Sequence, residues 1–128
     1  MQAEEFMQEF LGERVRLQEK LAEDALPVYR RFFKAGYNPH PPAVAIEQAK
    51  AETLISVNRK TSSTEVVTTG SGNVIRTRYT LIPQDGSFVI SLVEWECFSC
   101  RSEKPRPNCR YCAGTGWQPL PFETASSE

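Results

Sequence analysis

The chain carries one histidine in 128 residues, and its formal charge is only −1. That histidine, His40, stands between two prolines. As a general base it would need a nucleophile or an orienting partner, and no sequence pattern supplies one. A charge so close to zero gives no electrostatic reason for the surface as a whole to attract nucleic acid or an anionic membrane. No apolar run approaches the length of a membrane span, and "MQAEEFMQEF" has acids where a secretory signal would have Lys or Arg. These absences predict a cytoplasmic protein without membrane association, in a compartment where structural disulfides are uncommon. What is present is ordinary for a folded chain. With 40% hydrophobic and 24% charged residues, the length suits a single domain, expected over residues 1–122 with a frayed tail at 123–128.

The first third reads as helical. Phe6, Phe10, Leu17, Leu21, Val28 and Phe32 fall within about a quarter-turn at roughly 100° per residue, and Met7, Leu11 and Val15 widen that face. Phe10, Leu17, Leu21 and Phe32 are therefore expected to be buried. Glu4, Glu5 and Glu9 sit where the helix dipole favours anions. Pro27 reads as the first residue of a second helical piece that stops at Gly36, and a short helix is expected over Ala43 to Ala51. The texture then changes. "TLISVNR" (53–59), "TEVVTT" (64–69), "NVIRTRYTLI" (73–82) and "SFVISLVEWEC" (87–97) are rich in Val, Ile, Thr and aromatics, with short polar connections between them. Such spacing predicts an antiparallel meander, with its last hairpin closing around Gln84–Gly86, a loop beginning at Pro83, and Arg76 near Glu94. Helices followed by a meander make the fold class α+β: N-terminal helices on a curved antiparallel sheet.

A long helix followed by these strands resembles the nuclear-transport-factor-2-like (SnoaL-like, cystatin-like) α+β cone over roughly residues 2–97. The resemblance implies a helix laid across a curved sheet. It also implies an open end that serves as a small-molecule site, as an active site, or as filled core. Tyr29, Tyr37, His40 and Tyr79 are the candidates for such a pocket, and core or rim packing is the competing expectation for the aromatics.

The chemistry concentrates in "WECFSCRSEKPRPNCRYCAGTGW" (95–117), which holds all four cysteines as C-x₂-C-x₈-C-x₂-C. Two tight turns facing each other would bring Cys97, Cys100, Cys109 and Cys112 to the corners of a tetrahedron, the arrangement of a closed structural zinc site. Soft thiolates suit zinc, and spacing alone leaves iron or a disulfide pair as alternatives. Redox chemistry would need a C-x-x-C at a helix N-terminus, whereas Cys97 ends an expected strand. Four thiolates on one metal leave no open position for catalysis.

"CRYCAGTGW" resembles the C-x-x-C-x-G-x-G element of the cysteine-rich domain of DnaJ-type chaperones, through Cys109, Cys112, Gly114 and Gly116. The resemblance implies zinc geometry and not chaperone activity, because "CFSCRS" lacks the glycines and no J-domain is present. "WECFSC…NCRYC" is also similar to the single-stranded-RNA-binding zinc finger of the Ran-binding-protein type. Here the pairs are closer together than in that family, and Lys104 stands in place of its Asn. Within 97–112, Arg101, Lys104, Arg106 and Arg110 face only Glu103. Neutralising a dianionic metal centre accounts for much of that basicity, so nucleic acid is not the expected partner. The expectation is a non-catalytic binding or protein-interaction module with structural zinc. The alternatives are a small-ligand binder or enzyme using the cone, and RNA binding through the knuckle. Homodimerisation is expected, if at all, through Val67, Val89 and Val93 on an outer sheet face.

Overall fold

A computed structural model describes residues 2–20, 31–37, 52–69, 76–97 and 105–119, with the backbone alone for 17–20. It is an α+β fold: one helix, α1 (Ala3–Lys20), and five strands, β1 (Thr53–Arg59), β2 (Thr64–Thr69), β3 (Thr77–Gln84), β4 (Ser87–Glu96) and β5 (Trp117–Pro119). The strands form an open antiparallel sheet in chain order, β1-β2-β3-β4-β5. Pro27, the expected helix at 43–51, the 123–128 tail, and the side chains of Leu17, Leu21 and Val28 lie outside the described residues.

The start of α1 is set by its own side chains. The Gln2 carbonyl accepts the Phe6 amide at 3.0 Å, and Glu5 reaches back to the Gln2 amide at 2.8 Å. This is the carboxylate half of a capping box. Ala3, Phe6, Met7, Phe10 and Leu11 are buried along one face, as the three-and-four spacing requires. Phe10 is the hub of the core. Its ring meets Phe32, Phe33 and Tyr79 edge-on, with centroids 5.4, 5.7 and 5.7 Å away, while Phe6 meets Phe32 and Phe88. Edge-to-face contacts of this kind add to the area term of burial.

Phe32 is buried as expected, but it does not ride on a helix. Residues 31–37 run along the outer edge of β4: Phe33 bridges Ile90 in parallel, the Ile90 amide donates to the Phe32 carbonyl (2.7 Å), and the Lys34 amide donates to the Ile90 carbonyl (2.8 Å). Gly36, expected to stop a helix, ends a turn closed by Tyr37 N–H to the Lys34 carbonyl. Its φ of 88° suits the third position of such a turn and would strain another residue.

β1 and β2 have the expected bounds, and Lys60–Ser63 joins them through a 2.7 Å bond from the Lys60 amide to the Ser63 carbonyl. The β3–β4 register differs from expectation. Gln84 pairs Ser87 around a two-residue turn in which Asp85 (φ 53°) and Gly86 (φ 78°) both take positive φ, the geometry that fits strand twist. Pro83 therefore lies within β3, opposite Phe88. The last β2–β3 pair is Thr64–Leu81, so the missing Pro83 N–H falls beyond the end of that ladder. Farther along, Thr80 pairs Leu92 and Leu81 pairs Ile90, which leaves Ser91 as the extra residue of a bulge. The tighter turn and the bulge together bring Arg78, rather than Arg76, opposite Glu94. The bulge also flips the phase of β4. Ile90 and Val93 both face the helix, so Val93 is core, and Val89 is buried as well. Of the valines expected to be exposed, Val89 and Val93 are buried and Val67 is half-buried.

Deleting the hub ring should expose its importance. Phe10→Ala is expected to cost about 3–5 kcal/mol in chemical denaturation, the range for removing a large buried aromatic.

Candidate metal centre and its surroundings

The connection from β4 to β5 is the cysteine-rich segment, so the knuckle is the loop of a hairpin rather than an appendage after the last one. β5 pairs Trp117 with Glu96, Gln118 with Trp95 and Pro119 with Glu94. The ladder continues past the strand ends, where the Cys97 amide donates to the Gly116 carbonyl at 2.8 Å. The sequence reading missed β5, since three residues around a proline give no alternation to detect.

Cys97, Cys109 and Cys112 are all buried and form a cluster of their own. Their sulfur atoms lie within 4.8 Å of one another, and the Cys97 and Cys109 sulfurs are 3.8 Å apart. A disulfide would need about 2.05 Å. A tetrahedron with metal–sulfur bonds of about 2.3 Å has edges of roughly 3.75 Å, so the spacing is one that a shared metal could bridge. The pair joins the first C-x-x-C to the second, as a shared site demands. Cys100 lies outside the described residues. Cys109 leads into turns rather than a helix, so the helix N-terminus that would acidify a redox thiol is not present there.

Backbone geometry shapes the second turn. The Ala113 amide donates to the Cys109 carbonyl (2.9 Å) and the Thr115 amide to the Cys112 carbonyl (3.0 Å). Ala113, Gly114 and Gly116 have φ of 54°, 90° and 85°. A Cβ on Gly114 would approach the Pro107 backbone to 3.2 Å, so glycine is needed there for two reasons. Thr115 ties this turn to β5. Its hydroxyl lies 2.8 Å from the Cys112 carbonyl and 2.9 Å from that of Trp117, and it accepts the Trp117 amide at 3.1 Å.

Beside the knuckle, the Arg78 guanidinium stacks 4.6 Å from the Trp117 ring centroid and bonds Glu94 at 2.7 Å. A cross-strand ion pair thus exists at Glu94, made by Arg78 rather than the expected Arg76, with an aromatic cover from β5. Glu96 is buried: its side chain accepts the Arg76 amide at 3.2 Å, and its own amide donates to the Arg76 carbonyl. Arg110 lies over the half-exposed Tyr111 ring, next to Cys112 in the chain.

The pocket candidates do not converge. Tyr29 and His40 lie outside the described residues. The Tyr37 hydroxyl accepts the Val93 amide at 2.7 Å, on the edge of β4. The Tyr79 hydroxyl donates to Glu52 at 2.9 Å, and the same carboxylate takes Thr68 and Arg14. Thr68 and Tyr79 are buried. This four-residue network between α1 and the sheet was not legible in sequence, because its members lie far apart in the chain and no spacing marks them. At the other end of the helix Arg59 pairs with Glu4. The Glu4 carboxyl is held below its ordinary range by its own backbone amide and by Arg59.

Compared with protein-family models, curated proteins and solved structures, the chain finds no match. Neither the cone nor the chaperone knuckle it resembles is supported by a family match, so function has to be argued from the site itself.

Two measurements follow from this geometry. Glu52→Ala removes the carboxylate that Arg14, Thr68 and Tyr79 share, and should cost about 3 kcal/mol. Glu52→Gln should cost less, because it keeps an acceptor; urea titrations compare the two. Burial raises the Tyr37 hydroxyl pKa, as does nearby Glu94, against the lowering effect of the Val93 amide bond. A raised folded pKa means that this contribution to stability is complete below the unfolded value of about 10 and is lost as pH rises through the folded one. The stability advantage of the wild type over Tyr37→Phe should therefore shrink in alkaline titrations above pH ~10.

Proposed function

We propose that the chain is a non-catalytic binding or protein-interaction module whose C-terminal knuckle is held by a structural zinc ion on Cys97, Cys100, Cys109 and Cys112. The observation that carries this reading is the trio of buried sulfurs drawn from both C-x-x-C pairs, with one cross-pair separation at the edge length of a tetrahedral four-sulfur site. Cys100, three residues after Cys97 in sequence, would complete the donor set by its C-x-x-C spacing. The second turn's glycines, shared with the DnaJ-type element, fit a backbone wrapped around a metal. Thiolate softness favours zinc over harder cations, and a closed site supplies structure rather than a bound nucleophile.

Energetics support a structural role. Closing a loop of about 20 residues costs roughly 2.7 kcal/mol plus a constant. Three residue pairs of β5, each bond worth about 1 kcal/mol net, do not offset that together with the entropy of ordering the loop. A structural zinc contributes on the order of 10 kcal/mol and does. Described residues between Ala3 and Val93 form an apolar core that does not include the cysteines. The helix laid on a meander also supports the NTF2-like or cystatin-like reading of the architecture. No helix among the described residues is long and apolar enough to cross a membrane, and a reducing cytoplasm would keep four thiols available for metal. Partner contact would fall to the knuckle surface around Tyr111, which is exposed, with nucleic acid disfavoured by the charge balance. The groups of the Arg14–Glu52–Thr68–Tyr79 network bond one another, which supports a structural role for them over a catalytic one.

The test is metal content. Protein purified without chelator is expected to hold one zinc per chain, and cobalt exchanged into it should show the visible absorption of a tetrahedral four-thiolate site. Cys112→Ser should lose the metal or bind it at least ten-fold more weakly, as expected for removal of a ligand. Absence of bound metal, with four thiols titrating freely, would sink this reading.

A further inference from the structure

From the ladder that joins the knuckle to the sheet, we propose that metal occupancy switches the fifth strand: β5 is seated on β4 when the knuckle is loaded and released when it is empty. The inference rests on the metal reading above and goes beyond it, because it gives the ion control over a surface of the sheet.

Two connections couple the ligands to the strand. Cys97 is a ligand candidate through its sulfur and a ladder residue through its amide, which donates to the Gly116 carbonyl one residue before β5. Cys112 is a ligand candidate whose carbonyl is held by the amide and hydroxyl of Thr115, and that hydroxyl also accepts the Trp117 amide. Cys97 and Cys112 are thus hydrogen-bonded to Gly116 and Thr115, the two residues that lead into β5, and Thr115 passes the connection on to Trp117. The strand itself is only Trp117–Pro119, too short to hold register alone. Its last residue is proline, which brings no amide to the ladder.

The consequence reaches the outer sheet face. Trp117 covers Arg78, which in turn holds Glu94. When β5 leaves, this ion pair loses its aromatic cover and the outer edge of β4 at Glu94–Glu96 loses its backbone partner. The empty protein therefore presents an open strand edge beside an uncovered charge pair, and the loaded protein presents a closed one.

Hydrogen exchange read by mass spectrometry tests this on the full chain, loaded with zinc and after removal by chelator under reducing conditions. Metal content is measured on the same samples. Peptides covering 94–97 and 115–118 are expected to exchange at least ten-fold faster without metal, while peptides within 77–84 and 87–90 stay unchanged. Thr115→Val, which keeps every cysteine but deletes the hydroxyl, is expected to retain zinc and still to exchange faster in 115–118. Bound zinc with unchanged exchange at 94–97 and 115–118 would overturn the switch and leave the metal reading standing. Exchange that rises throughout the sheet would overturn it as a local device. A chain that binds no zinc would overturn both.

Discussion

The outer edge of β4 has backbone groups that the sheet must satisfy, and each remaining part of the chain contributes a different partner. Residues 32–34 take both the amide and the carbonyl of Ile90. The Tyr37 hydroxyl takes the Val93 amide. β5 takes Glu94–Glu96, and Gly116 takes Cys97. An uncovered edge in this position would be a template for pairing with other chains. Covering it with three unlike devices explains why the strand can carry a bulge at Ser91 and still remain in the sheet. The bulge breaks the ladder locally, and Ile90 is then bonded from the other side.

That edge also sets where the aromatic core stands. Because Phe33 is bridged to Ile90, Phe32 and Phe33 arrive beside Phe10 from the sheet side, while α1 delivers Phe10 and Phe6 from above. The core is thus a meeting of two backbones, one helical and one extended, on the inward face that Tyr79, Leu81, Ile90 and Val93 provide. The cysteine cluster is separate from it. This second, small cluster of Cys97, Cys109 and Cys112 lies at the far end of β4, in a segment with few apolar side chains of its own to bury.

Much of this was legible in the residues. The bounds of β1 and β2, the Asp85-Gly86 turn, the buried face of α1 and the convergence of Cys97, Cys109 and Cys112 follow from alternation, turn chemistry, helical spacing and paired C-x-x-C. The misses have physical causes. Phe32 satisfies a helical projection yet lies in a turn just before the Phe33 bridge, because projection assumes a helix that continues. The Ser91 bulge has no sequence mark, and one extra residue moved Val93 from the outer face to the core and helped move Arg78 to Glu94. β5 was invisible because it forms by being carried to β4 rather than by its own propensity. The Glu52 network was invisible because tertiary packing alone brings Arg14, Thr68 and Tyr79 together.

The central claim is that both C-x-x-C pairs close on one metal and thereby bring β5 to β4. X-ray absorption at the metal edge of the loaded protein addresses it most directly. The account predicts a single shell of four sulfur scatterers at about 2.3 Å, with no nitrogen or oxygen ligand. A mixed shell, fewer than four sulfurs, or a metal lost during gel filtration would contradict it.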